Sequence, residues 1–260
     1  MITKTLSRTK NSTYAVIAPN PDPKTKGFPT PMGTGFFISS EGYFITARHV
    51  IEKRNPKGNP IITTSGYSEL YEGKDITLTK CIPRITIYFI EIIKEWPEFD
   101  LVLLKADINK NKKEKDVLAS DEQIEYLDIN FNIIKEGSKV YSFGYPLSKI
   151  KIEGNSNSMF GFHFYSPRIT SMIISSHYEV IGPIFGGRPF PKHYVLDKAL
   201  NYGSSGSPVV EEGTGCVISV CTKFQPVYIP QQNLSIMIPS LYGISISLKN
   251  IENELRKYIK

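Results

Sequence analysis

The sequence predicts an all-β chain of many short strands, closed by one terminal helix. Three observations lead there. Apolar, β-branched and aromatic residues come in short runs of strand length. Clusters of Gly, Pro, Asn and Asp separate those runs. Only the end of the chain, Leu248–Ile259, repeats apolar residues at helical spacing, with Leu248, Ile251, Leu255 and Tyr258 or Ile259 on one face. Together they argue for a β-sandwich or a β-barrel.

Residues 1–12 form a loose polar start, and Tyr14–Ala18 is a first strand. Asn20–Pro31 is rich in turn formers. Gly33–Ser39 and Tyr43–Ala47 form a hairpin around Glu41-Gly42, and its second arm delivers Arg48-His49-Val50 at its end. Pro56–Pro60 reads as a loop and Arg84–Ile93 as a strand. Glu98–Lys105 is a strand whose continuous apolar stretch calls for cover on both faces. Residues 106–130 are charged and weakly patterned, with a short helix expected near Asp121–Tyr126; they link two halves.

The second half repeats the style. Lys139–Gly144 is a strand, residues 147–166 are irregular, and Ile169–Ser175 and Tyr178–Ile181 are two strands joined by a turn. Gly182–Pro191 is a loop and His193–Leu196 a short strand. Gly215–Cys221 and Ser240–Ser247 are further strands, and a helix over 248–260 closes the chain.

At 260 residues the chain can bury a substantial core. Its 40% hydrophobic and 22% charged content is that of an ordinary soluble globular protein. The net charge of +6 raises the question of a nucleic-acid partner. The basic residues are scattered among glutamates, and the densest run, Asn109–Asp116, reads as a solvated loop, so no nucleic-acid partner is expected. Cys81, Cys216 and Cys221 are odd in number and lack metal-ligand spacing, so neither a disulfide framework nor a metal site is expected, and no cofactor. Free thiols suit a reducing compartment. No stretch reaches the roughly 18 apolar residues of a membrane helix. A cytoplasmic protein without a membrane partner is the expectation.

The stretch that carries chemistry is Asn201–Pro208. Gly203 and Gly206 permit backbone conformations that a side chain forbids. Such a loop can lift the Ser205 hydroxyl from the chain and aim the Gly203 and Ser205 amides at one point, as an oxyanion hole requires. A serine hydroxyl needs a base, and histidine suits that task. The imidazole in turn needs a carboxylate to orient it. His49 stands where a hairpin arm ends, and Asp100 opens an apolar strand. Each also has a plainer reading: a turn histidine, a strand-capping aspartate, a Gly-Ser loop.

Taken in order, Thr46-Ala47-Arg48-His49-Val50, Phe99-Asp100-Leu101-Val102-Leu103-Leu104 and Gly203-Ser204-Ser205-Gly206-Ser207-Pro208 resemble the three signatures of chymotrypsin-fold, trypsin-like serine proteases. The lead-in Asp197–Asn201 and the hairpin over 33–47 look most like HtrA-type peptidase domains. The resemblance covers roughly residues 30–250. It implies two packed antiparallel β-barrels: 1–115 carrying His49 and Asp100, a linker at 116–130, 131–247 carrying Ser205, and the helix at 248–260. It implies His49 as general base then acid, Asp100 as its orienting carboxylate, Ser205 as nucleophile, and the Gly203 and Ser205 amides as oxyanion hole. The partner is then a protein or peptide substrate.

Three features depart from the pattern. Ser204 stands where digestive members carry an aspartate that pairs with a new N-terminus, so zymogen-style activation is not expected. Ser207 replaces the commoner second glycine, and no PDZ-like segment is expected after the peptidase region. By resemblance the primary specificity pocket is lined by Ala199, Leu200, Ile218, Ser219 and Val220. With no carboxylate at Ala199, an apolar P1 side chain is expected. The alternative is a latent or inactive protease-fold protein serving as a regulated binding module. Its cleft loops, 147–166 and 182–191, would be ordered by an activating partner.

Overall fold

The computed structural model describes residues 2–19, 29–53, 73–81, 85–106, 123–155, 158–178, 192–231 and 234–259. The expected Pro56–Pro60 loop, the basic run at 109–116, residues 121–122, the strand end at 179–181 and the 182–191 loop lie outside them.

Six strands close a first barrel: β1 (Thr13–Pro19), β2 (Pro29–Phe37), β3 (Tyr43–Ala47), β4 (Gly73–Cys81), β5 (Ile85–Trp96) and β6 (Leu101–Ala106). Their order is β1-β2-β3-β6-β5-β4, and β1 pairs back onto β4. A second barrel runs β10-β11-β14-β13-β12-β7. It comprises β7 (Lys139–Gly144), β10 (Arg168–Tyr178), β11 (His193–Leu196), β12 (Pro208–Glu211), β13 (Val217–Gln231) and β14 (Leu234–Ser247). The pairings within both barrels are antiparallel. Closure removes the open edges that sheets otherwise expose.

The side-chain period of two explains why β6 is apolar throughout. Val102, Leu104 and Ala106 point into the first barrel with Val16, Phe37 and Phe44. Leu101 and Leu103 point the other way, into a seam with Phe36, Ile45, Tyr141, Val210, Val217 and Val220. Each such leucine contributes about 1.5–3 kcal/mol by leaving water. A third cluster, with Ile134, Val140, Ile174, Tyr194 and Ile218, fills the second barrel. The seam therefore joins the barrels by the same hydrophobic burial that fills them.

Several expectations are corrected. The polar start is a helix, α1 (Ile2–Ser12). Its buried positions are Thr9 and Ser12 rather than an apolar stripe, and the Thr9 hydroxyl lies 3.0 Å from the Tyr141 hydroxyl. The irregular 147–166 segment contains a hairpin, β8 (Lys149–Asn155) with β9 (Ser158–Phe164). The turn expected at 176–177 is strand, since β10 runs unbroken to Tyr178, and β4 has no counterpart among the expected strands. Residues 123–126 have no helical structure. The closing helix is shorter than 248–260: one 3-10 turn, Leu248–Ile251, runs into α2 (Glu252–Leu255). Its apolar face, Leu248, Ile251 and Leu255, is buried in the seam as the spacing required.

Candidate active site

His49 sits on a single 3-10 turn, Arg48–Ile51, that follows β3. Four residues cannot hold a helical turn unaided. Burial of Val50 and Ile51 in the first barrel supplies the anchor. Asp100 ends a second 3-10 turn, Pro97–Phe99, with a left-handed backbone at φ 54°. Aspartate tolerates that region better than most residues. Because β3 and β6 pair with Ala47 opposite Leu101, the two turns emerge side by side.

Three hydrogen bonds then join them. The Arg48 amide donates to the Asp100 carbonyl at 2.8 Å. The His49 amide donates to Asp100 Oδ1 at 3.0 Å, and His49 Nδ1 lies 2.7 Å from Asp100 Oδ2. An ionised carboxylate only accepts, so Nδ1 carries the proton and Nε2 is left with a lone pair. Both side chains are about one-third exposed, at 31% and 32%, so Nε2 can meet a molecule from solvent.

Ser205 comes from the loop between β11 and β12. Gly203 and Gly206 both take positive φ, 91° and 86°. A Cβ at Gly206 would lie 1.8 Å from the Thr34 carbonyl oxygen, so only glycine fits there. The loop is tied internally: the Ser204 amide donates to Asn201 O, Ser207 to Ser204 O and Gly206 to Cys221 O. The Gly203 and Ser205 amides donate to no acceptor among the described residues. The loop is also tied to the first barrel. The Thr34 amide donates to Ser205 O at 2.8 Å, and the Thr34 hydroxyl donates to Gly203 O at 2.7 Å. Gly33 is wedged between Val50, the neighbour of His49, and the Ser205 carbonyl. The serine loop and the histidine turn thus meet at Gly33-Thr34.

The Ser205 hydroxyl donates to the Thr222 carbonyl at 3.3 Å, and no hydrogen bond joins it to His49 among the described residues. Of the expected pocket residues, Ala199 and Leu200 are half-buried beside the loop. The expectation for Ile218, Ser219 and Val220 is corrected. Ile218 fills the second barrel, Val220 the seam, and Ser219 is buried with its hydroxyl on Ser245 Oγ at 2.9 Å. Their side chains cannot line a pocket. Thr222, further along β13, is the residue that touches the serine. Leu200 packs on Gly243, where a Cβ would lie 2.6 Å from Leu200 Cγ.

Sequence reasoning missed Thr34 and Thr222. Thr34 carried a signal, a β-branched residue between two glycines in a strand; Thr222 carried none. Among the described residues no group of three His, Cys, Asp or Glu side chains is placed to hold a metal ion, and no helix is long and apolar enough to cross a membrane.

The profile of the family described as trypsin-like peptidase domain matches residues 33–220, a span that holds His49, Asp100 and Ser205. The chain belongs to the trypsin-like peptidase family. Solved structures of such domains share its fold. The HtrA-type protease AlgW with a tripeptide aligns over 100% of this chain at 18% identity and TM-score 0.58, and this chain spans 64% of AlgW. The Rv3671c protease from M. tuberculosis in its active form aligns over 97% of this chain and 83% of its own at 16% identity and TM-score 0.56. The MamO protease domain from Magnetospirillum magneticum aligns over 96% and 98% at 14% identity and TM-score 0.54. No curated protein matches the chain. At these identities the likeness speaks for the fold alone.

Proposed function

We propose that the protein is a serine endopeptidase acting through Ser205, His49 and Asp100. The observation that carries this reading is the pair of contacts from Asp100 to His49, 2.7 Å to Nδ1 and 3.0 Å from the amide. They hold the imidazole in the tautomer a general base needs. In this reading the Ser205 hydroxyl leaves the Thr222 carbonyl and donates to Nε2 instead. Ser205 Oγ then attacks the peptide carbonyl carbon while its proton passes to Nε2. The carbonyl oxygen becomes an oxyanion, stabilised by the unengaged Gly203 and Ser205 amides. Collapse breaks the C–N bond, the proton moves to the leaving amine, and water hydrolyses the acyl-enzyme by the reverse sequence. AlgW is bound to a tripeptide and to a decapeptide in its structures, which supports a peptide as the substrate class here. An apolar P1 side chain fits Leu200 packed on Gly243, with no carboxylate at Ala199.

The test is labelling by a fluorophosphonate probe. The expected result is one adduct on Ser205, lost in Ser205→Ala and in His49→Ala, with turnover of Ser205→Ala down by a factor on the order of 10⁶. Folded protein that never labels, with or without cell extract, overturns the reading. Labelling only in the presence of extract supports a latent form, which the Ser205–Thr222 hydrogen bond favours. A peptide library cleaved mainly after Lys, Arg or Glu overturns the apolar preference.

A further inference from the structure

Among the described residues two non-glycines hold a left-handed backbone, Asp100 and Leu147. Leu147 has φ 58°. Leucine is disfavoured there because its Cβ crowds its own following carbonyl, and such outliers persist only where the surroundings enforce them. Packing does not account for it, since the Leu147 side chain is 51% exposed. What the conformation achieves is a hydrogen bond: the Leu147 amide donates to the Tyr202 carbonyl at 2.7 Å.

Tyr202 directly precedes Gly203. A Cβ on Gly203 would lie 2.5 Å from Tyr145 O, 3.1 Å from Pro146 Cα and 3.3 Å from Leu147 N, so the turn at 145–147 lies against this stretch. The peptide joining Tyr202 to Gly203 is planar, and in the trans form its C=O and N–H point to opposite sides. Tethering the Tyr202 oxygen to Leu147 therefore turns the Gly203 N–H away from the 145–147 turn. A flip of this one peptide would replace that donor with a carbonyl oxygen, which repels an oxyanion.

We propose that Leu147 is a positioning residue for the oxyanion site. Its strained backbone, rather than its side chain, locks the Tyr202–Gly203 peptide in the orientation that presents the Gly203 amide. The catalytic consequence rests on the peptidase reading above; the locked peptide does not.

Three substitutions separate backbone from side chain. Leu147→Gly and Leu147→Asn discard the side chain but adopt the left-handed region readily, whereas β-branched Leu147→Val resists it. The first two are expected to keep turnover within about threefold of the parent. Leu147→Val is expected to lower kcat about 10–100-fold with KM within about twofold, since one oxyanion donor is weakened. The reverse order, with Gly and Asn impaired and Val unaffected, overturns the proposal, as does equal turnover in all three. Amide hydrogen exchange at position 147 reads the same lock without catalysis. Protection is expected in the parent, Leu147→Gly and Leu147→Asn, and its loss in Leu147→Val. An unprotected amide in the parent overturns the proposal even if Ser205 labels normally. A parent that fails to label but shows the protection pattern sinks the peptidase reading alone.

Discussion

The hydroxyl of Thr34, in the first barrel, donates to the carbonyl of Gly203, in the second, at 2.7 Å. The same oxygen accepts the Tyr145 amide at 3.0 Å, and the Thr34 carbonyl accepts the Thr46 hydroxyl at 2.6 Å. One buried threonine thus fixes the serine loop to the barrel that carries His49. Thr34→Val keeps the shape and deletes the oxygen that bonds both the Gly203 carbonyl and the Tyr145 amide. A loss of about 1–3 kcal/mol in urea unfolding is expected, with kcat reduced about tenfold or more as the loop shifts. Unchanged kcat in a destabilised variant would confine Thr34 to stability.

Arg48 is the second pin. Its side chain is 7% exposed and meets Glu52 at 2.6 Å and Glu95 at 3.0 Å. Glu95 lies on β5 and the histidine turn follows β3, with β6 between them. The guanidinium therefore spans the strand that Asp100 opens. Arg48→Met removes the cation and leaves Glu52 nearly buried and unpaired, at a cost of about 3 kcal/mol. Arg48→Lys, a point charge, is expected to recover only part of it. Thermal unfolding of the two variants checks the ranking.

Ser207 makes the opposite prediction. It is 1% exposed, and its hydroxyl has no hydrogen-bond partner among the described residues. It faces Gly144, where a Cβ would lie 2.1 Å from the hydroxyl oxygen. Ser207→Ala removes an unsatisfied buried polar group and is expected to raise stability by about 1 kcal/mol. A lower urea midpoint would mean that the hydroxyl is satisfied in solution.

The thiols predict a pH dependence. Burial pushes Cys221 up to about 12 from an ordinary value of 9.0, and Cys216, half-buried, is raised in the same direction. In the folded protein Cys216 is expected to react with a thiol reagent well before Cys221. Below pH 9 the Cys221 thiol is protonated whether the chain is folded or not, so its contribution to stability is constant. Between pH 9 and about 12 the unfolded chain releases this proton and the folded chain keeps it, so stability falls as pH rises. Tyr141, raised mainly by burial, adds to the same trend above pH 10. A urea midpoint that is flat from pH 8 to 10.5 would count against this.

Much of the fold was legible because period-two patterning and turn residues are local. β3, β7 and β11 fall where the sequence puts them. The apolar run of β6 announced its two buried faces. Helix α1 was illegible because it buries polar residues, Thr9 and Ser12, and Thr9 is matched to a tyrosine far along the chain. The hairpin at 149–164 carries a local signal that the irregular reading passed over: Ile150 and Ile152 alternate with Lys149 and Lys151, and Phe160, Phe162 and Phe164 with Gly161 and His163. At the candidate site, His49, Asp100 and Ser205 were legible because the chemistry proposed for them restricts the residue types. The pocket reading at Ile218–Val220 failed for a physical reason. Spacing along β13 does not say which residues the barrel core claims, and the core claims these.

The division of the site between barrels bears on how the chain is made. His49 and Asp100 sit on turns between strands that close among residues 13–106. The Ser205 loop depends on a barrel that closes only when β14, at 234–247, pairs with both β11 and β13. Domains generally fold in the order of synthesis. A ribosome therefore releases a finished base and carboxylate long before any supported nucleophile exists. On the peptidase reading proposed above, translation itself then works as a timer, keeping the nascent chain from cutting itself or its neighbours until the late strand β14 has been made.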